Sequence, residues 1–133
     1  MAFYRCSSGG GTLTETVLWT NPSPSSSFSN QTVTLSESYT NYKYVGVKYA
    51  TGTGSSAPEA TMILSTEDAA KTDSSGSNNG LKGSIGSRYQ SNVYARIIGF
   101  MSNTSVEITA ARQQGSTNSN NALIIPKTII GIK

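Results

Sequence analysis

Apolar residues along this chain alternate with polar ones in short runs, and clusters of Ser, Asn, Gly and Pro separate the runs. A period of two is the mark of a half-buried strand, and no stretch with a helical period competes with it. Residues 14–20 (TETVLWT) predict a first strand with Val17 and Trp19 on one face. Asn21-Pro22-Ser23-Pro24 stops the ladder, because proline removes a donor and fixes φ. Residues 31–35 (QTVTL) predict a second strand with Val33 and Leu35 inward. Residues 42–50 (YKYVGVKYA) predict a third, with Val45, Val47 and Tyr49 on one face and Tyr42, Tyr44 and Lys48 on the other. Residues 51–57 form a Gly/Ser turn, and 60–65 (ATMILS) a fourth strand. Residues 66–88 are the longest irregular stretch. They open with a single helical turn at 66–71, acidic first and basic last, and a short strand fits around 81–85. Residues 92–101 (NVYARIIGFM) give the strongest strand pattern. They form a hairpin with 104–112 across the Ser102-Asn103 turn, Val106, Ile108 and Ala110 pointing inward. Residues 122–133 (ALIIPKTIIGIK) predict a last strand, broken or bulged at Pro126.

Seven to eight short strands with punctuating turns predict an all-β fold: an antiparallel β-sandwich, jelly-roll-like, over residues 14–133. Residues 1–13 contain Cys6-Ser7-Ser8-Gly9-Gly10-Gly11 and read as a Gly/Ser-rich linker or N-terminal arm.

Composition sharpens this picture. Ser, Thr, Asn and Gly fill close to half of the positions, while charged residues make up only 13%. Disorder would need few β-branched and aromatic residues. Val, Ile, Thr and Tyr are instead frequent and grouped, so the bias describes polar loops and a polar outer face. The net charge is +3, spread without a run or stripe, which gives no nucleic-acid footprint. No apolar run reaches the length of a membrane span, so membrane insertion is not expected. Residues 1–11 lack the apolar core of a secretory signal, so no cleaved signal peptide is expected.

Candidate chemistry is sparse. The chain has no histidine, which removes the commonest general base and the usual zinc ligand. The lone Cys6 allows no intrachain disulfide. Two carboxylates acting on a glycosidic bond would be needed for a glycan-cleaving enzyme, and no spacing among the seven acids singles out a pair. Glu67, Asp68 and Asp73, with Asn78 and Asn79, offer oxygen atoms to calcium, but the alternation of a calcium loop is missing. The expectation is a non-enzymatic chain with no cofactor and no metal. The aromatics carry the remaining signal. Tyr39, Tyr42, Tyr44, Tyr49, Tyr89, Tyr94, Trp19 and Phe28 suit either sheet packing or stacking on sugar rings. Phe28 sits among serines, where a lone ring either plugs a core edge or is displayed.

Residues 16–49, with Leu18-Trp19, Phe28, 32–36 and 42–49, resemble a pattern of phage and prophage tail proteins. The ending Ile125-Pro126-Lys127-Thr128-Ile129-Ile130-Gly131-Ile132-Lys133 is similar to the close of such chains. The resemblance implies a β-sandwich at the end of a tail fibre or baseplate. It implies a homotrimer that works with other tail proteins, on the virion tail or outside the cell. It also implies contact with a bacterial cell-surface receptor, such as a glycan, or a structural place at the tail tip. It transfers no catalytic residue. The alternative is a carbohydrate-binding module of a secreted bacterial protein. Strand counting places loops 21–30 and 51–57 at the end opposite the N-terminal arm. The 102–103 turn joins them with seven strands and moves to the other end if 81–85 adds one. The candidate receptor contacts are therefore Asn21, Ser25, Phe28, Thr53, Ser55 and Asn103.

Overall fold

The computed structural model describes residues 4–5, 12–70 and 80–133. The strands are β1 (Tyr4–Arg5), β2 (Thr12–Leu13), β3 (Glu15–Thr20), β4 (Gln31–Thr34), β5 (Tyr44–Gly52), β6 (Glu59–Ser65), β7 (Leu81–Tyr89), β8 (Asn92–Phe100), β9 (Ser105–Ile108), β10 (Arg112–Gln113) and β11 (Leu123–Ile132). Two antiparallel sheets face each other as a β-sandwich. One has the order β3-β11-β5-β6. In the other, β7 pairs one side of β8, β9 and β10 follow each other along its far side, and β4 pairs β9. β1 and β2 form a small separate ladder, so part of the expected linker has strand structure; residues 6–11, including Cys6, lie outside the described residues.

The strand count exceeds seven to eight because β7 is a full nine-residue strand and the return strand is split into β9 and β10. The first long strand, β3, pairs with the last, β11, and β4 pairs with β9. That nesting is shared with a jelly roll. The middle strands are instead joined as hairpins, β5–β6 and β7–β8.

Val33, Val45, Val47, Ile85, Ile98, Val106, Ile108 and Ile129 fill the space between the sheets, all at most 6% exposed. Three details depart from the sequence pattern. Leu18 is an extra residue in β3, since Trp19 pairs with Ile129 and Val17 with Ile130. The bulge turns Val17 outward, 53% exposed, while Leu18 and Trp19 pack on the core, so Val17 and Trp19 do not share a face. Between β9 and β10 the chain also changes phase: Ala111, not Ala110, is the buried alanine. Tyr42 precedes β5 and turns inward, its ring lying where a Cβ on Gly131 would be. The break expected at Pro126 is present: Pro126 pairs with Tyr49 and Thr128 with Lys48, leaving Lys127 as the extra residue.

Antiparallel pairing throughout fixes which loops share an end. Loops 21–30, 53–58, 90–91 and 114–122 gather at one end. The segments 35–43, 66–70 and 101–104 lie at the other, beside the start of β3 and the end of β11. The helical turn is a 3-10 helix, Thr66–Ala70; residues 71–79, with Asp73, Asn78 and Asn79, lie outside the described residues. Among the described residues no group of three His, Cys, Asp or Glu side chains is placed to hold a metal ion.

Candidate functional site

The loop-bearing end is organised around an arginine. Alternation along β8 sends Tyr94, Arg96 and Ile98 inward, so a guanidinium enters the apolar core with no exposed surface. Burying a charge is costly unless hydrogen bonds replace its hydration. Four carbonyls do so here. Arg96 Nε donates to Ile124 O (2.6 Å), Nη1 to Thr109 O (2.9 Å), and Nη2 to Leu123 O (3.0 Å) and Asn121 O (3.3 Å). Desolvation lowers its pKa to about 10, so it remains a cation at neutral pH. The Phe28 ring lies 5.4 Å from the guanidinium carbon and edge-on to Trp19 at 6.1 Å. Ile124 adopts φ 56° to turn its carbonyl toward Arg96. A β-branched residue in that region is strained, and the surrounding hydrogen bonds hold it there.

Loop 21–30 is pinned at both ends. Asn21 is 4% exposed. Its Nδ2 donates to Pro126 O (2.8 Å), its Oδ1 accepts from Ser23 N (2.8 Å), and its own N–H reaches Lys127 O (2.8 Å). At the far end Phe28 N donates to Asn121 O (2.9 Å). Lys127 Nζ donates to Pro24 O (2.8 Å) from the neighbouring strand. Between the pins, residues 22–27 are exposed.

This arrangement sorts the six candidates. Phe28, 4% exposed, plugs the core edge and is not displayed; Asn21 is likewise buried, and both act as anchors. The physical reason is that Arg96 needs a cover and the loop needs a buried tie. Ser25 and Ser55 are exposed and Thr53 half-buried, together at the loop-bearing end. Asn103 is exposed at the opposite end, because β7 adds a strand. The structure thus brings Ser25, Thr53 and Ser55 to one end and separates Asn103 from them.

Sorting the aromatics by exposure shows a residue that the candidate set missed. Tyr39, Tyr42 and Tyr94 are buried, and Trp19, Tyr44 and Tyr49 are half-buried. Tyr89 is 44% exposed. It ends β7 at the loop-bearing end and stands edge-on to Tyr94 at 6.4 Å. Gln90 follows with φ 55° and turns the chain directly into β8. The usable sequence signal was the Arg-Tyr-Gln-Ser-Asn step (88–92) between two strands, which only reads as a hairpin once β7 is seen at full length. The exposed groups of this end include hydroxyls, amides and the Tyr89 ring. Hydroxyls and amides both donate and accept hydrogen bonds, and a ring supplies an amphipathic contact surface. Comparison with protein-family models and with curated proteins finds no match for this chain.

Proposed function

We propose that this chain is a non-enzymatic host-attachment domain of a phage or prophage tail. Its loop-bearing end touches a bacterial surface glycan, and it works as a homotrimer among other tail proteins. The observation that carries the reading is the exposed Tyr89 ring standing beside polar loops that are fixed from below by Arg96 and Asn21. Loops already held in place lose little freedom on binding, which favours affinity for a sparse set of contacts. The end that carries them lies opposite the start of β3. The resemblance of residues 16–49 and 125–133 to tail proteins supplies the tail context.

The test is binding of fluorescently labelled protein to a panel of bacterial strains and to an array of surface glycans, with the mass measured by analytical ultracentrifugation. The expected result is a trimer that labels at least one strain, with labelling lost after periodate oxidation of the cell-surface sugars and reduced at least tenfold by Tyr89→Ala. A monomer that labels no strain and no glycan overturns the reading.

A further inference from the structure

The outer face of the sheet built on β8 follows from its register. Paired residues of an antiparallel ladder point to the same side. Tyr94, Arg96 and Ile98 point inward, so Val93, Ala95 and Ile97 point outward, beside Arg88, Gly86 and Ser84 of β7. Arg112 of β10 flanks Ala95 from the other side. Val93 and Ile97 are 44% and 47% exposed, an apolar stripe along β8.

This face is basic. Lys82, Arg88 and Arg112 lie on it against one acid, Glu107. The other sheet balances its outer charges, with Glu15 paired to Lys48. Glu107 sits across Gly99 from Lys82, so Arg88 and Arg112 have no acid beside them. Both arginines are exposed, and among the described residues neither guanidinium has an ion pair or a hydrogen bond. Arg96 shows the contrast, since its fork is taken up by carbonyls. Arg88 stands opposite Val93 and Arg112 opposite Ala95. Their Cα atoms are therefore two strands and two residues apart, about 12 Å. Side chains of that length bring both forks together above Val93, and such a fork binds a carboxylate or phosphate bidentately.

We propose that this face binds an anionic polysaccharide, with an oxyanion held between Arg88 and Arg112 and sugar C–H faces lying on Val93 and Ile97. Unpaired cations select an anion. A single-stranded nucleic acid needs aromatic platforms, and the rings of β8, Tyr94 and Phe100, point into the core. A membrane surface needs a broad apolar face, whereas here Glu107 and the hydroxyls of Thr32 and Ser84 share the plane with the stripe. A stable protein contact needs an apolar centre of many residues, and this stripe is one strand wide. A linear glycan with one anion per repeat needs only spaced cations, hydroxyls and a narrow apolar strip. The site makes no use of Tyr89, so it stands independently of the contact assigned to the loop-bearing end.

The test is titration of the ¹⁵N-labelled chain with hexuronate, phosphodiester-linked and neutral hexose oligosaccharides, followed by amide chemical shifts. Saturable shifts at Arg88, Val93, Ile97 and Arg112 are expected with at least one anionic panel and not with the neutral one. The panel that responds identifies the oxyanion as carboxylate or phosphate. Arg88→Gln with Arg112→Gln is expected to weaken binding at least tenfold at an unchanged thermal midpoint, because both side chains are exposed and unbonded. Arg88→Lys with Arg112→Lys is expected to recover part of it, since the charge returns without the forks. Tyr89→Ala leaves the shifts intact, so failure of the loop-end reading and failure of this site are told apart. The proposal is overturned if no anionic oligosaccharide moves these amides, if neutral ones move them equally, or if the double Gln variant binds like the parent. Tighter binding of an acidic peptide, an oligonucleotide or a phosphatidylglycerol vesicle equally overturns it.

Discussion

The two ends of the sandwich are closed by different chemistry. At the end beside β3's start, aromatic rings do the work: Tyr39 packs tilted against Phe100, centroids 4.7 Å apart, and Tyr42 lies on Gly131. At the loop-bearing end a guanidinium does it, bonded to carbonyls of Thr109, Asn121, Leu123 and Ile124. The apolar burial that drives such packing is non-directional. A planar guanidinium with four hydrogen bonds fixes the segments it touches in both distance and direction. The difference teaches that one end is built to hold the sheets together and the other to hold loops in a set geometry.

Breaking the polar closure is expected to have the largest effect. Arg96→Met keeps the apolar stem but takes the guanidinium donors from the Thr109, Leu123 and Ile124 carbonyls, Asn121 O keeping Phe28 N–H, and a loss of about 3–5 kcal/mol is expected in urea unfolding. Arg96→Lys recovers less than half, since an ammonium does not reach four carbonyls at once. If Arg96→Met is neutral or stabilising, the guanidinium is dispensable and the contrast between the ends fails. Next in size is Gly131→Ala. Its Cβ meets the Tyr42 ring, and overpacking of this kind costs about 1–3 kcal/mol. Tyr42→Leu in the same chain is expected to relieve part of that cost, giving a favourable coupling in a double-mutant cycle. Asn21→Ala follows. It removes the bonds to Pro126 O and Ser23 N, with about 1–2 kcal/mol expected. Faster amide exchange confined to 21–30 and 126–128 is the sharper readout, because it separates loop fixation from global stability.

Much of the fold was legible in the sequence because alternation reports burial directly. The strands at 14–20, 31–35, 60–65 and 92–101, the irregularity at Pro126 and the helical turn after 65 all have counterparts within a residue or two. What was not legible depends on contacts between distant segments. β7 looked too glycine-rich for a long strand. Gly83 sits close against the facing sheet: a Cβ there would come within 2.9 Å of Met62 Sδ and 3.1 Å of Leu64 Cδ2, so those side chains would have to shift. The Leu18 bulge inverted the facing of Val17, and no local signal in TETVLWT marks an extra residue. Arg96 stood in a clean alternating strand, and pattern alone assigns such a residue to solvent. Only the strained carbonyl of Ile124 and the Phe28 cover explain why it enters the core. The candidate site suffered from the same blindness. Phe28 and Asn21 stood out as loop residues because their loop is polar, and they are buried for the purpose of keeping that loop still.

The smallest expected effect tests the aromatic end by pH. Burial raises the Tyr39 pKa above its ordinary value of 10.0. The folded chain therefore keeps the phenol proton at a pH where the unfolded chain begins to release it. Between those two values the native state binds more protons than the unfolded state, so stability falls as pH rises. The contribution is complete below pH 10 and is lost through the raised folded value. Arg96 has the opposite sign, since a lowered pKa lets the unfolded chain hold its proton longer. Tyr39→Phe keeps the ring on Phe100 and removes the proton. Its urea midpoint is expected to move little at pH 7, and its loss of stability above pH 10 is expected to be shallower than that of the parent chain. Equal alkaline slopes in the two proteins would mean that the Tyr39 phenol reaches water, and that the aromatic end is looser than its 5% exposure indicates.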